Sequence, residues 1–237
     1  STVRRGLGGV AGVRAPPYIN KSSAVVSVGE PELMQSVFGA EKSELRRLIL
    51  DVIEVMRVAH SKGLINVLGG NASFRWGNGF WITPSQIPKH RLEVSDFVYV
   101  DMDKGPLQNP RGRRPSIEWR MHREIYVALN NVNAVLHTHN PHTLALYSMG
   151  ITLKPSDYAE AYSIGDCISM VPKIPSGTEE LARAAAGALS KCRVAVLLGH
   201  GIVVAAEDIF KALDAAEALD DISKAELFKH LIRRTAT

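Results

Sequence analysis

The sequence predicts a mixed α/β domain in which helices cover a largely buried sheet. Apolar residues at helical spacing alternate along the chain with short, strongly apolar β-type runs. Apolar residues make up 46% of the 237 residues and charged residues 22%, values typical of a globular protein with a real core. The chain shows no internal repeat or low-complexity tract, so we expect one main domain.

The first 40 residues differ from the rest and predict an N-terminal arm. They are rich in Gly, Pro, Ser and Val and show weak periodicity. Prolines in the segment RAPPYIN favour extended or turn-like backbone. Packing on the body or on a neighbouring subunit would order this arm, and simple disorder is an equal alternative. Residues 41–237 form the predicted main domain.

The elements of this domain follow from periodicity and turn signals. Apolar residues from about Glu41 follow helical spacing, and Gly63 is a plausible stop. Asn78-Gly79, between alternating segments, predicts a hairpin turn because both turn positions tolerate positive φ. The remaining predictions are strands in FVYVDMD, NAVLHTH, CISMV and RVAVLLGHGIVVAA, and helices over residues 118–129, 141–148, 179–189 and 208–232.

Composition excludes several functional classes. The net charge is +4, a mild excess, and aromatic residues are only 6%, so a basic and aromatic nucleic-acid surface is not indicated. No apolar run reaches the length of a membrane span, and no apolar segment of a secretory signal follows Arg4 and Arg5. Cys167 and Cys192 are too few for a thiolate metal site. They fit a reducing, cytoplasmic setting by default, with a disulfide as the alternative.

Three histidines at the ends of β-type runs predict a metal site. His137 and His139 are two residues apart in a strand, so their rings point to one face. His200 ends a second apolar run, where Gly199 and Gly201 allow the backbone to bend. Three imidazoles leave one position of a tetrahedral zinc ion open, as in catalytic sites. The alternative is three coincidental polar strand ends; the remaining histidines, at 60, 90, 122, 142 and 230, are expected mainly at the surface.

Glu118 and the small polar residues of two loops are the other candidates. Glu118 suits general acid/base chemistry beside a metal, and also suits the first turn of a helix that Ser116 could cap. Asn71, Thr83, Ser85 and Ser116 could converge on an anion such as phosphate. Ordinary turn chemistry is the stronger alternative for these loops.

Four motifs in order extend these local observations. They are GGNASFR…GFWITPS, PSIEWRMHREIY, NAVLHTH and LLGHGIVVAAEDIFKALDAAEALD. With these motifs, the chain from about residue 43 to about residue 232 resembles the class II aldolase/adducin family, particularly its L-fuculose-1-phosphate aldolases. Glu118 precedes His137 by 19 residues and His200 follows His137 by 63, spacings similar to those of these aldolases.

The resemblance implies a three-layer α/β/α fold with a central, mainly antiparallel sheet, assembled as a homotetramer. It implies one Zn²⁺ per subunit on His137, His139 and His200, with other divalent ions possible, and an acid/base role for Glu118. The implied reaction is retro-aldol cleavage of a ketose, such as a sugar 1-phosphate, through a metal-stabilised enediolate. Tyr158 matches a tyrosine that acts in the neighbouring subunit's site, although a core or interface tyrosine is an equal alternative.

The phosphate pocket implied by the resemblance consists of Gly70, Asn71, Ser85 and Ser116. Gln86 stands where these aldolases usually have glycine, and Ile117 where they usually have a second serine. Both departures remove room or a donor from the pocket, so the substrate or the need for phosphate can differ.

Related reactions remain open within the superfamily, namely dehydration, decarboxylation and 4-epimerisation of sugar phosphates. The epimerases carry aspartate where this chain has Glu118, which disfavours them. An adducin-like interaction module lacks the metal ligands that are present here. We therefore expect a small-molecule sugar phosphate as the partner, and neither nucleic acid nor a membrane.

Overall fold

The computed structural model describes residues 31–235, and side chains over residues 39–233. Most of the predicted arm, up to residue 30, lies outside the described residues. Residues from Glu41 onward form one compact unit. Its helices, with the one that leads into it, are α1 (Pro31–Ser61), α2 (Trp119–Ala128), α3 (Pro141–Ser148), α4 (Ala161–Ile164), α5 (Glu179–Leu189) and α6 (Ile209–Thr235).

Eight strands form a single sheet in the described part of the chain, in the order β4-β3-β2-β1-β5-β8-β7-β6. Neighbouring strands pair antiparallel except β6 with β7, which are parallel. The predicted fold class is confirmed, but the sheet is mixed, because helix α5 connects β6 to β7 and the two strands therefore run parallel. The strands are β1 (Asn71–Trp76), β2 (Gly79–Ile82), β3 (Val98–Asp101), β4 (Gly105–Pro106), β5 (Ala134–Thr138), β6 (Ile168–Val171), β7 (Val194–Leu197) and β8 (Gly201–Ala206).

Helices cover both faces of the sheet and give the three-layer arrangement. Alternation along each strand divides its side chains between two apolar cores. In β5, Leu136 packs into the core formed with α1, α3 and α6, whereas Val135 packs into the core formed with α2 and α5. His137 lies two residues beyond Val135 and therefore on the α2/α5 face. The central strands β5, β7 and β8 are buried along their whole length.

Local differences from the sequence predictions are small. Helix α1 begins at Pro31, so the last residues of the predicted arm are helical. The hairpin is confirmed, but its turn is Gly77-Asn78 rather than Asn78-Gly79, because Trp76 pairs with Gly79. Gly77 has a φ of 55°, which suits the first position of such a turn. The sequence did not predict β4 and α4, which are too short to show periodicity.

Cys167 and Cys192 form a disulfide between the segment before β6 and the segment before β7. The default expectation of reduced thiols is wrong for this pair, and the alternative of a disulfide holds. Sequence spacing did not show that β6 and β7 are parallel neighbours, which brings the two cysteines together. No helix over residues 31–235 has the length and apolar character needed to cross a membrane.

Candidate metal and substrate site

The three predicted metal ligands meet at one edge of the central strands. His137 is the fourth residue of β5, and His139 follows its last residue. His200 occupies the turn between β7 and β8, and β8 is the neighbour of β5 in the sheet. Ring centroids lie 5.0 Å apart for His137 and His139, 4.6 Å for His137 and His200, and 5.8 Å for His139 and His200. The rings of His137 and His139 lie together as predicted, and the turn brings His200 to them.

Two glycines allow this close approach. Gly199 has a φ of 71°, which lets the turn return directly into β8. At Gly201, an added Cβ would lie 2.2 Å from the backbone oxygen of Thr138 and 2.9 Å from Cε1 of His137. Glycine is therefore required at Gly201 so that the His200 turn can pack against the end of β5.

The chemical state of the imidazoles fits a divalent cation. One ligand atom from each of the three rings lies within 4.8 Å of the other two. His137 donates its Nδ1 hydrogen to the backbone oxygen of Ile202 at 2.8 Å, which leaves Nε2 as a free, buried acceptor. Nδ1 of His200 is likewise buried without a partner. Burial lowers the pKa of all three imidazoles, so they are neutral and able to ligate near pH 7.

Glu118 lies beside this cluster. It precedes helix α2 and is 3% exposed, and its side chain caps no helix nitrogen. Its Oε1 accepts a hydrogen bond from the backbone nitrogen of Gly177 at 3.2 Å and lies 3.8 Å from Nε2 of His200. Oε2 is buried without a partner. Ser116 Oγ accepts a hydrogen bond from the Glu118 nitrogen at 3.3 Å, so the local role expected for Ser116 and the position of Glu118 at the start of α2 are compatible with a carboxylate that turns toward the histidines.

A cavity of about 310 Å³ joins the cluster to the two polar loops. Its walls include all four residues expected to bind phosphate: Gly70, Asn71, Ser85 and Ser116. Thr83 is not among them; its hydroxyl accepts a hydrogen bond from the Ala72 nitrogen at 3.1 Å and serves the hairpin. A larger cavity of about 890 Å³ lies elsewhere, beside α1 and the start of α6, and none of these candidate residues lines it.

His122 has a role that the sequence did not predict. The expectation of a surface histidine is wrong, because its side chain is fully buried on α2. It connects Asn71 to the interior: Nε2 lies 2.5 Å from Asn71 Oδ1, and Nδ1 lies 2.6 Å from Ser73 Oγ. Ser73 Oγ in turn lies 2.8 Å from the Tyr126 hydroxyl. The signal was the helical spacing of His122 with Met121, Ile125 and Tyr126, which placed it on the buried face.

Both departures from the expected pocket lie in the cavity wall. Gln86 has a φ of 60° and is the one non-glycine residue with positive φ among those the structure describes. The backbone geometry explains why glycine suits this position, since such a φ is strained for residues with a Cβ. Ile117 is 60% exposed and contributes no donor.

The structure does not bring Tyr158 to the histidines of its own chain. Its hydroxyl donates a hydrogen bond to Oε1 of Glu226 on α6, and it does not line the cavity. His142 also lies apart, with Nδ1 2.6 Å from Oδ2 of Asp220.

Comparison with known proteins shows which family the chain belongs to. The profile of the Class II Aldolase and Adducin N-terminal domain matches residues 50–227, which include Glu118 and all three histidines. The chain belongs to the class II aldolase and adducin family. With its aldolase relatives, it is an enzyme of the lyase class.

The names of the relatives of this class II aldolase give different sugar phosphates as their substrates. It is 31% identical over 185 residues to the L-fuculose phosphate aldolase of Escherichia coli K12, covering 78% of this chain and 83% of that protein. It is also 31% identical over 173 residues to the 5-methylthioribulose-1-phosphate/5-deoxyribulose-1-phosphate aldolase of Rhodospirillum rubrum, covering 73% and 77%. The solved L-fuculose-1-phosphate aldolase of Thermus thermophilus aligns with a TM-score of 0.70 at 30% identity, covering 79% of this aldolase and 96% of that chain.

Proposed function

We propose that this class II aldolase cleaves a ketose 1-phosphate by a metal-dependent retro-aldol reaction. The observation that carries the proposal is the convergence of three neutral imidazoles and one buried carboxylate on a single cavity. The same cavity is also lined by neutral hydroxyl and amide side chains, which suits a ligand that carries both a carbonyl and a phosphate.

His137, His139 and His200 would hold the metal, with Zn²⁺ the expected ion. Two of these rings have buried nitrogens without a protein partner, and burial of such groups is costly unless a ligand satisfies them. The bound cation supplies Lewis-acid stabilisation for negative charge that develops on the carbonyl oxygen of the substrate. The hydrogen bond from His137 to the Ile202 oxygen fixes the ring in the orientation that exposes Nε2.

Glu118 would move the proton. Cleavage breaks the bond between the carbon next to the carbonyl and the carbon that becomes the aldehyde. The electron pair stays with the former carbon, while the hydroxyl of the latter gives its proton to solvent as it becomes the aldehyde oxygen. Glu118 donates its proton to the former carbon and is then reprotonated from solvent. Burial raises the pKa of Glu118, while the Gly177 nitrogen and Ser176 oppose this shift, so the carboxyl group can hold a proton closer to neutral pH than an exposed glutamate.

Tyr158 is proposed to act at the aldehyde end of a neighbouring subunit's site in a homotetramer. Its hydroxyl is half-buried against Glu226, on a helix whose last turns carry exposed apolar side chains such as Phe228. A Tyr158→Phe variant with unchanged turnover would remove Tyr158 from the mechanism.

Two substrates have specific support. L-Fuculose 1-phosphate, with lactaldehyde as the released aldehyde, follows the E. coli relative. A 5-substituted ribulose 1-phosphate follows the R. rubrum relative at the same identity. Gln86 and Ile117 alter the pocket and give a physical reason to test both.

The test is aldehyde release from L-fuculose 1-phosphate, 5-methylthioribulose 1-phosphate and 5-deoxyribulose 1-phosphate, with and without one equivalent of zinc. We expect cleavage of at least one substrate, and a loss of about 10²- to 10⁴-fold in kcat for Glu118→Gln with retained zinc. Glu179→Gln, an exposed carboxylate on α5, is the matched control. Zinc-loaded protein that releases no aldehyde, or Glu118→Gln with full turnover, would rule out the proposed reaction.

A further inference from the structure

Lys89 is a buried amine that neither the predicted site nor the proposed reaction uses. It follows Pro88 in the loop after β2, and only 2% of the residue is exposed. Its Nζ donates hydrogen bonds to the backbone oxygens of Pro84 at 3.2 Å and Ile87 at 3.1 Å. An ammonium group has three hydrogens, so one remains for another acceptor.

The charge of Lys89 has no protein counter-charge. Across residues 39–233, no carboxylate lies within 4 Å of its Nζ, and desolvation by burial alone lowers its pKa, to about 8. A buried cation without an anionic partner is unfavourable. Two carbonyl oxygens solvate the amine in part but do not neutralise it.

The position of Lys89 shows where that partner can come from. It lines the same cavity as Ser85, Ser116 and Asn71, whose groups are neutral donors. Among the described residues in that cavity wall, Lys89 is the one lysine or arginine. Gln86 crowds the pocket and Ile117 adds no side-chain donor. Binding of an anionic ligand therefore depends more strongly on such a cation.

We propose that Lys89 supplies the counter-charge for the anionic group of the substrate, and that it makes this site selective for phosphorylated over neutral ketoses. This assignment rests on the proposed function only in taking the cavity as the substrate site. The alternative is a structural lysine that does no more than tie the Pro84–Lys89 loop together through its two carbonyl bonds.

Glycerol 3-phosphate is a suitable probe because it carries a phosphate monoester but no carbonyl and cannot be cleaved. Its affinity for the zinc-loaded protein is measured by calorimetry, with glycerol as the neutral comparison. We expect Lys89→Met to weaken glycerol 3-phosphate binding by about tenfold to a hundredfold, as for loss of a charge-assisted contact, without loss of zinc. Lys104→Met, at the exposed β3–β4 turn, is the charge-matched control and should bind within twofold of wild type.

A second variant, Lys89→Gln, repeats the measurement with a polar side chain in case the apolar replacement does not fold. Unchanged probe affinity in a folded Lys89 variant overturns the proposal, as does wild-type protein that binds glycerol 3-phosphate no better than glycerol. On a cleaved ketose phosphate, Lys89→Met should raise KM much more than it lowers kcat, whereas a purely structural defect would lower both kcat and zinc content.

The two proposals can fail separately. Probe binding that depends on Lys89, without cleavage of any ketose phosphate, removes the proposed reaction and leaves the role of Lys89 intact. Cleavage that persists with normal KM in Lys89→Met removes the role of Lys89 and leaves the reaction intact.

Discussion

His122 Nε2 lies 2.5 Å from Asn71 Oδ1, so a fully buried residue of α2 orients an amide in the substrate cavity. With the Asn71 oxygen facing the ring, Nε2 carries the hydrogen and Nδ1 accepts from the Ser73 hydroxyl. The Tyr126 hydroxyl then donates to Ser73 Oγ. This chain of hydrogen bonds leaves the Asn71 amide hydrogens for the cavity.

His122→Phe should therefore destabilise the protein by about 2 to 3 kcal/mol, because the buried Asn71 oxygen loses its donor while the ring volume is kept. Urea unfolding of metal-free protein at pH 7.5 measures this change. His230→Phe, on the partly exposed part of α6, should change stability by less than about 0.5 kcal/mol. A similarly small effect of His122→Phe would show that the hydrogen bonds of His122 do not stabilise the protein.

The same histidine predicts acid sensitivity. Burial lowers the pKa of His122 to about 3, whereas an unfolded histidine titrates near 6.5. Its contribution to stability is therefore fully present above pH 6.5 and is lost as pH falls toward 3, by at most about 1.4 kcal/mol per pH unit. Between pH 7 and pH 5, wild type should lose about 2 kcal/mol more than His122→Phe. Equal losses in the two metal-free proteins would show that the ring is not buried in its neutral form.

Metal binding should depend on His200. We expect His200→Ala to lower zinc affinity by at least about 100-fold, because two imidazoles remain of three. The stability of the metal-free protein should change little, since His200 keeps 19% of its side chain exposed and its ring makes no hydrogen bond to the described residues shorter than the 3.5 Å contact with Ser176. Competition with a zinc chelator measures affinity, and His60→Ala is the control. Near wild-type affinity in His200→Ala would exclude it as a ligand.

Replacement of Gln86 by glycine should stabilise the protein. Its φ of 60° costs a residue with a Cβ about 1 kcal/mol, so Gln86→Gly should raise the free energy of unfolding by about that amount. Gln86→Ala keeps the Cβ and should leave stability within about 0.5 kcal/mol of wild type. Thermal and urea unfolding of both variants separate backbone strain from loss of the amide. Gln86→Gly that is less stable than Gln86→Ala would contradict this account.

Gly201 should not accept even a methyl group. Its Cβ would lie 2.2 Å from the Thr138 oxygen, so Gly201→Ala must displace the end of β5 or the His200 turn. We expect a loss of about 3 kcal/mol or more in stability, together with weaker zinc binding. Gly187→Ala is the matched control, because nothing lies within 4 Å of that position in α5 and alanine favours a helix. Normal zinc affinity in Gly201→Ala would show that the site tolerates the displacement.

Much of the fold was predictable because its signals are local. The Ala-rich segment predicted α5 and the segment that starts at Pro141 predicted α3, both with their observed bounds, and the apolar run before His137 predicted β5. The three histidines were recognisable because each ends a buried strand, where a polar ring needs a partner. Their spacing from Glu118, together with the four motifs, then indicated the family.

What the sequence could not predict depends on pairing between distant segments. The Cys167–Cys192 disulfide follows from the parallel pairing of β6 with β7, which no local pattern encodes. The helical spacing of His122 was a local signal of burial, but its hydrogen bonds to Asn71 and Ser73 depend on the position of β1, which is distant in sequence. Lys89 stands in sequence beside His90 and Arg91, a run typical of a solvated surface, although the residue is buried and its amine bonds to the loop's own carbonyl oxygens.

The pairing of β5 with β8 has a consequence for how the protein matures. His137 and His139 are close along the chain, but His200 stands 63 positions after His137 and reaches them only once a long loop has closed. An unfolded chain therefore brings only two of the three proposed ligands close together, and the third arrives with the finished centre of the sheet. Capture of zinc during refolding should then be a late event, and its rate should follow completion of the β5–β8 pair rather than early helix formation.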